Sequence, residues 1–218
     1  VARTLGTLNH RRSSKLHPKP KHPIAIISPS GSRRVEFVGE KHQAGVMGFW
    51  HYDQKIDLVE KVALEILARV IKTRMWESLR EDLGLSYSPT ANFSSHDEYP
   101  NFSTIEASLD CSPADAPEIA EAILRISNKI FRYGVSQEEV NGSLRPYKVK
   151  MRQALRSNEY LINHLLKRAQ ERSDLTHELV DLKKGDLNQV SAEIVNRLAR
   201  KIFMPENSRT VAIIPKPF

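Results

Sequence analysis

Trp76-Glu77-Ser78-Leu79-Arg80-Glu81-Asp82-Leu83-Gly84-Leu85-Ser86-Tyr87-Ser88-Pro89 decides how this chain is read. The stretch has the form of a helix end, a glycine stop at Gly84 and the start of a strand carrying Tyr87. An arginine is held at the helix terminus and a tyrosine follows seven residues later on the next element. A fixed positive charge and a phenolic donor are thereby expected beside each other at the rim of a sheet.

Upstream, Asp57 and Glu60 form a capping-box pattern. Leu58, Val62, Ile66 and Val70 then run beside Val59, Ala63, Leu67 and Ile71, a wide apolar stripe suited to facing a sheet. The helix is expected to reach about Leu79. Before it, strands are read at 23–28, 33–38 and 43–51, the last apolar on both faces and therefore central. After it, strands are read at about 86–95 and 101–110, joined by a turn over Asp97 to Asn101. In the second, Ile105, Ala107 and Leu109 alternate with Thr104, Glu106 and Ser108, the pattern of a sheet covered on one face.

Ser112-Pro113 with Asp115 opens a helix to about Arg132, stopped by Gly134. Ser136 with Glu139 opens another that extends, bent or broken, to about Arg172; Asp186 with Gln189 opens a last one to about Phe203. A final strand is read at 210–214. Strands and helices come in blocks rather than in strict alternation. The expected fold class is α+β, a two-layer sandwich with a mostly antiparallel sheet and helices on one face.

The chain has 218 residues, enough for a sizeable core, and its 40% apolar and 27% charged content is ordinary for a globular protein. No apolar run approaches the roughly 18 residues of a membrane span. Residues 1–22 carry basic side chains but no apolar core of a signal peptide, which leaves the compartment open. The lone Cys111 excludes an intrachain disulfide framework and a cysteine metal site, and is read as a buried bystander. Residues 1–42 hold nine Lys/Arg against two acids and so account for the whole formal net charge of +7. Within them, 9–22 form a basic loop, and Val1–Leu8 looks like the last turn of a helix capped by Gly6. The chain is therefore expected to begin inside a structural unit, as a single domain over 1–218 truncated at its N-terminus.

The eight histidines include no two that are four apart, so neither order of the paired-histidine zinc motif can be written. His96-Asp97-Glu98 sits in a turn and reads as a solvated cluster. There is no Gly-x-Ser-x-Gly elbow and no glycine-rich phosphate loop. Arg80 and Tyr87 remain. Arg80 can neutralise a helix C-terminus while Tyr87 packs with its hydroxyl satisfied; alternatively both face open space and hydrogen-bond a substrate carbonyl as it becomes an oxyanion.

Leu79-Arg80-Glu81-x-x-Gly84-Leu85-Ser86-Tyr87-Ser88 resembles the Leu-Arg-Glu-x-x-Gly-Leu-x-Tyr-Ser element of the insulinase/pitrilysin zinc peptidases. The order around it is similar: the Gln43–Trp50 strand and long helix before, the alternating strand, the Ser-Pro-x-Asp helix and the closing Val-Ala-Ile-Ile-Pro-Lys-Pro behind. The resemblance covers nearly the whole chain. It implies a C-terminal, non-metal-binding unit, most like the last of four such units in the pitrilysin-like peptidases of Gram-negative bacteria, several of them periplasmic.

Carried over by position, the resemblance implies that Tyr87 and Arg80 contact the substrate backbone and stabilise the tetrahedral intermediate, and that Trp76 lines the substrate chamber. It implies no cofactor in this chain, zinc in the parent enzyme, and two partners: the catalytic N-terminal half and a peptide or small unfolded protein. Nucleic acid is not expected. The periplasm is the implied compartment. The alternatives are a non-catalytic scaffold of the same fold, since the element also occurs in inactive relatives, and polyanion binding through residues 1–42.

Overall fold

The computed structural model describes residues 30–39, 43–81, 87–95, 99, 101–160, 162 and 186–216. The elements are β1 (Gly31–Val38), β2 (Ala44–Tyr52), α1 (Leu58–Glu81), β3 (Thr90–Ser95), β4 (Ser103–Cys111), α2 (Ala116–Tyr133), α3 (Gln137–Ala154), the single-turn α4 (Asn158–Tyr160), α5 (Ala192–Ile202) and β5 (Arg209–Lys216). The strands form one sheet in the order β1-β5-β2-β4-β3. Only β1–β5 is parallel; β5–β2, β2–β4 and β4–β3 are antiparallel. This is the expected α+β sandwich, with β2 inside the sheet as its apolar content required.

Periodicity explains the layers. In β4, Ile105, Ala107, Leu109 and Cys111 are buried under the helices, and in β2 so are Ala44, Val46, Trp50 and Tyr52. Both expected stripes of α1 are buried, Val62, Ile66 and Val70 beside Ala63, Leu67 and Ile71. Gly48 permits the closest approach of the layers: a Cβ there would lie 2.5 Å from Ile123 Cγ2 on α2.

Capping fixes where the helices begin. Glu60 N–H donates to Asp57 Oδ1 at 2.8 Å and Asp57 N–H to Glu60 Oε2 at 3.3 Å, the expected box. Ser136 and Glu139 form the same reciprocal pair at α3. Glu139 also receives Arg74 of α1, Nε to Oε1 at 2.7 Å and Nη2 to Oε2 at 3.0 Å. Burial pushes the Glu139 carboxyl up, but the hydrogen bonds from Arg74 and Ser136 outweigh it and hold its pKa below the usual carboxylate range. One carboxylate thus caps α3 and clamps it to α1. Gly134, at φ +75°, makes the turn between α2 and α3.

Three boundaries differ from the sequence reading, and a fourth element is broken as that reading allowed. Tyr87 precedes β3, which starts at Thr90 after Pro89 rather than at about 86. Helix α2 starts at Ala116 with Asp115 at its N-cap, because 113–115 form a separate turn in which Asp115 N–H reaches Ser112 O at 3.2 Å. The helical stretch opened by Ser136 is broken after Ala154, where the N–H groups of Arg156 and Ser157 bond three residues back, and its expected end near Arg172 lies outside the described residues. Asp186–Gln189 is a 3₁₀ turn and not the start of the last helix; Ser191, in an extended conformation, caps α5 by accepting from Ile194 N–H at 3.4 Å. The expected strand at 23–28, the helix end at Gly6, the 9–22 loop and His96–Glu98 lie outside the described residues. No described helix is long and apolar enough to cross a membrane.

Candidate functional site

The last turns of α1 carry the first two candidate residues. Their i, i+4 spacing puts Trp76 and Arg80 on one helical face, and the guanidinium carbon lies 5.2 Å from the centre of the indole ring. Trp76 is 48% exposed, and Arg80 is exposed as well. Arg80 makes no ion pair among the described residues, although Glu77 and Glu81 are its sequence neighbours. The cation lies over the indole ring, an electrostatically favourable contact. The charge also compensates the partial negative charge at the end of α1.

Tyr87 is differently placed. Its ring packs half-buried against the core. Its hydroxyl donates to Asp115 Oδ2 at 2.8 Å and accepts from Ser112 N–H at 2.9 Å. Ser112 Oγ donates to the same Asp115 oxygen at 3.0 Å. Tyr87 therefore ties the segment after α1 to the turn between β4 and α2. A phenol has one proton to give, and here Asp115 takes it in a charge-assisted bond. Donating to a substrate carbonyl would require exchanging Asp115 for that carbonyl.

The fold thus pairs Trp76 with Arg80 and links neither to Tyr87 by a hydrogen bond. The sequence reading missed Asp115 and Ser112 as partners of Tyr87, because it assigned them to a helix cap. The signal was the Ser-Pro-x-Asp turn itself, since a carboxylate and a free N–H at the end of β4 offer both bonds a hydroxyl can make. Beside this turn the Cys111 thiol is pushed up to about 11 by burial and then by Asp115 and Asp110, so it stays protonated and unreactive at neutral pH.

A second polar group lies on the other side of the sheet. Arg209 Nη1 donates to His51 Nδ1 at 3.1 Å. His51 is held below its usual pKa by burial and by Arg209, against the opposing pull of Asp53. The ring is therefore a neutral acceptor at pH 7. Among the described residues no three His, Cys, Asp or Glu side chains are grouped to hold a metal ion. The sequence carries no paired-histidine zinc motif in either order.

A family model described as the peptidase M16 inactive domain matches residues 1–146. Among curated proteins none matches. Solved structures similar to this chain include a protease from Helicobacter pylori, with a TM-score of 0.71 and 18% identity over 98% of this chain and 51% of that one. The periplasmic protease PqqL from Escherichia coli aligns with a TM-score of 0.69 and 19% identity, covering 86% of this chain and 21% of that one. An inactive peptidase domain from Bordetella parapertussis gives 0.67 and 14%, over 83% of this chain and 95% of that one. At these identities the likeness is one of fold. This chain spans only about a fifth of PqqL and half of the Helicobacter protease.

Proposed function

Because this chain belongs to the peptidase M16 family through its inactive domain, we propose that it serves as the C-terminal, non-metal-binding domain of a zinc metalloendopeptidase. In this reading 1–218 is one such domain. A catalytic half elsewhere in the parent polypeptide supplies zinc and the general base. This domain supplies the opposing chamber wall and contacts to a peptide or small unfolded protein.

The observation that carries the reading is the Trp76–Arg80 pair, an exposed aromatic bearing a cation that makes no ion pair among the described residues. Such a pair can grip a peptide backbone, the indole covering apolar side chains and the guanidinium donating to carbonyl oxygens. Tyr87 joins the site in the proposal by exchanging Asp115 for a substrate carbonyl. The periplasm is the proposed compartment, supported by the location of PqqL. No nucleic-acid partner is proposed.

A second reading has its own support. The Tyr87 proton is already committed to Asp115, which suits a structural tyrosine in a non-catalytic scaffold. Hydrolysis of a quenched fluorescent peptide by the full-length parent separates the two. Arg80→Ala should lower kcat/KM by about tenfold to a hundredfold, the worth of a charged hydrogen bond. Tyr87→Phe should lower kcat about a hundredfold if the hydroxyl donates to the transition state. An active parent indifferent to both substitutions excludes the substrate-contact role, and a parent lacking zinc and activity makes the scaffold reading the correct one.

A further inference from the structure

Helix α3 carries an unbalanced charge that the chain totals conceal. Residues 43–218 contain equal numbers of basic and acidic side chains, yet no Asp or Glu occurs between Val140 and Asn158. In that interval lie Arg145, Lys148, Lys150, Arg152 and Arg156. At about 100° per residue, Arg145, Lys148 and Arg152 fall within a sector of roughly 60°. Arg156 follows in the turn after α3 and lines the same depression as Arg152. Lys150 lies off the stripe, where its charge acts on Glu65 of α1.

Among the described residues no carboxylate pairs with the stripe. Lys148 donates to the neutral Asn188 amide at 2.7 Å, and Arg152 Nε to the Lys148 carbonyl at 3.4 Å. The i, i+4 pair Lys148–Arg152 is therefore repulsive, which weakens a helix that already contains Gly142 and Pro146. Local stability does not account for this arrangement.

The stripe also has a shape. Val149, Arg152, Gln153 and Arg156 line a shallow depression of about 280 Å³, and Val149 is 48% exposed. Successive cations four residues apart rise about 6 Å along the helix. Same-side residues of an extended peptide repeat at about 6.8 Å, a near match over this length. A nucleic-acid strand would also present anions, but single-strand sites need aromatic platforms for the bases. The stripe offers Val149 in that position instead.

We infer that the α3 stripe is an interaction surface for an extended acidic segment of a protein, with carboxylates on alternate residues and one apolar side chain seated over Val149. It is separate from the Trp76–Arg80 pair and does not depend on the peptidase reading. The bound segment is held by rim-type ion pairs, so its affinity is modest and falls with salt.

The test uses the full chain and a short, capped, fluorescein-labelled peptide in which glutamates alternate with serines around a central valine. Fluorescence anisotropy at low salt should show binding, and the glutamine version of the peptide should not bind. The double variant Arg152→Glu/Arg156→Glu should bind about tenfold more weakly, whereas Lys72→Glu/Lys129→Glu, on exposed positions of α1 and α2, should bind as the parent chain does. Arg152→Gln/Arg156→Gln serves as a milder version with the same expected direction. Three results overturn the inference: equal affinity for the glutamate and glutamine peptides, undiminished binding by the double variants (which moves the site to another basic region such as 1–42), or tighter binding of an oligothymidylate of equal charge.

Discussion

The chain's two tryptophans stand in opposite environments. Trp50, on the central strand, is 0% exposed, donates its indole N–H to Ser208 Oγ at 3.0 Å and meets Phe203 edge-on at 5.2 Å between ring centres. Trp76, on α1, is about half exposed, and its ring carries the cation of Arg80. The first has every requirement of a buried aromatic met by its own chain. The second leaves apolar area open to solvent, as interface aromatics do. Where all needs are satisfied internally, the residue serves the fold; where they are not, it is available to a partner.

Substitution should separate the two sites sharply. Trp50→Ala removes the largest buried side chain and leaves Ser208 without its donor, so unfolding free energy in urea should fall by about 3–5 kcal/mol. Loss near that of a surface site would mean that Trp50 does not anchor the helix–sheet core. Next in size is Glu139→Ala, which uncaps α3 and frees Arg74; about 2 kcal/mol is expected.

The same carboxylate gives a pH signature. Its folded pKa lies below its unfolded one, so its contribution is complete above the ordinary carboxylate value and is lost as pH falls through the folded value. Urea midpoints measured downward from pH 6 should decline more steeply for the parent chain than for Glu139→Gln, and parallel curves would refute the clamp.

Tyr87→Phe falls between the two tryptophans. Deleting a hydroxyl that bridges Asp115 and Ser112 should cost about 1–2 kcal/mol at this half-buried position, a loss visible in the isolated chain whatever the parent enzyme does. Trp76→Ala should change stability by less than about 0.5 kcal/mol; a larger loss would place Trp76 with Trp50 among the packing residues. The smallest expected signal is chemical. Cys111, with its thiol raised to about 11, should resist alkylation at pH 8 in the folded chain and react once urea unfolds it.

Much of the fold was legible because local pattern and tertiary need coincided. The stripe of α1, the alternation in β4 and the two boxes at Asp57 and Ser136 each encode their own outcome. Legibility failed where a distant partner chose the geometry. The Asp186–Gln189 pattern lost to Ser191 because a 3₁₀ turn lets Leu187 and Val190 reach the core, where both are buried. Ser112 and Asp115 are spent on Tyr87, 25 and 28 residues away in sequence, and spacing along one element cannot show that. The α3 stripe was hidden by a charge balance that is zero when summed over residues 43–218 and strongly uneven when placed in space.

By itself, then, the sequence determined the fold class, the central place of β2, the helix face turned to the sheet, and the nearness of Trp76 to Arg80, because periodicities of two and 3.6 residues and i, i+4 spacing are local properties of the backbone. Tertiary structure alone decided that β1 runs parallel to β5, that the Tyr87 proton goes to Asp115, and that Arg152 and Arg156 share one depression with Val149. Those outcomes depend on which groups from remote parts of the chain arrive within hydrogen-bonding distance, and only the assembled layers fix that.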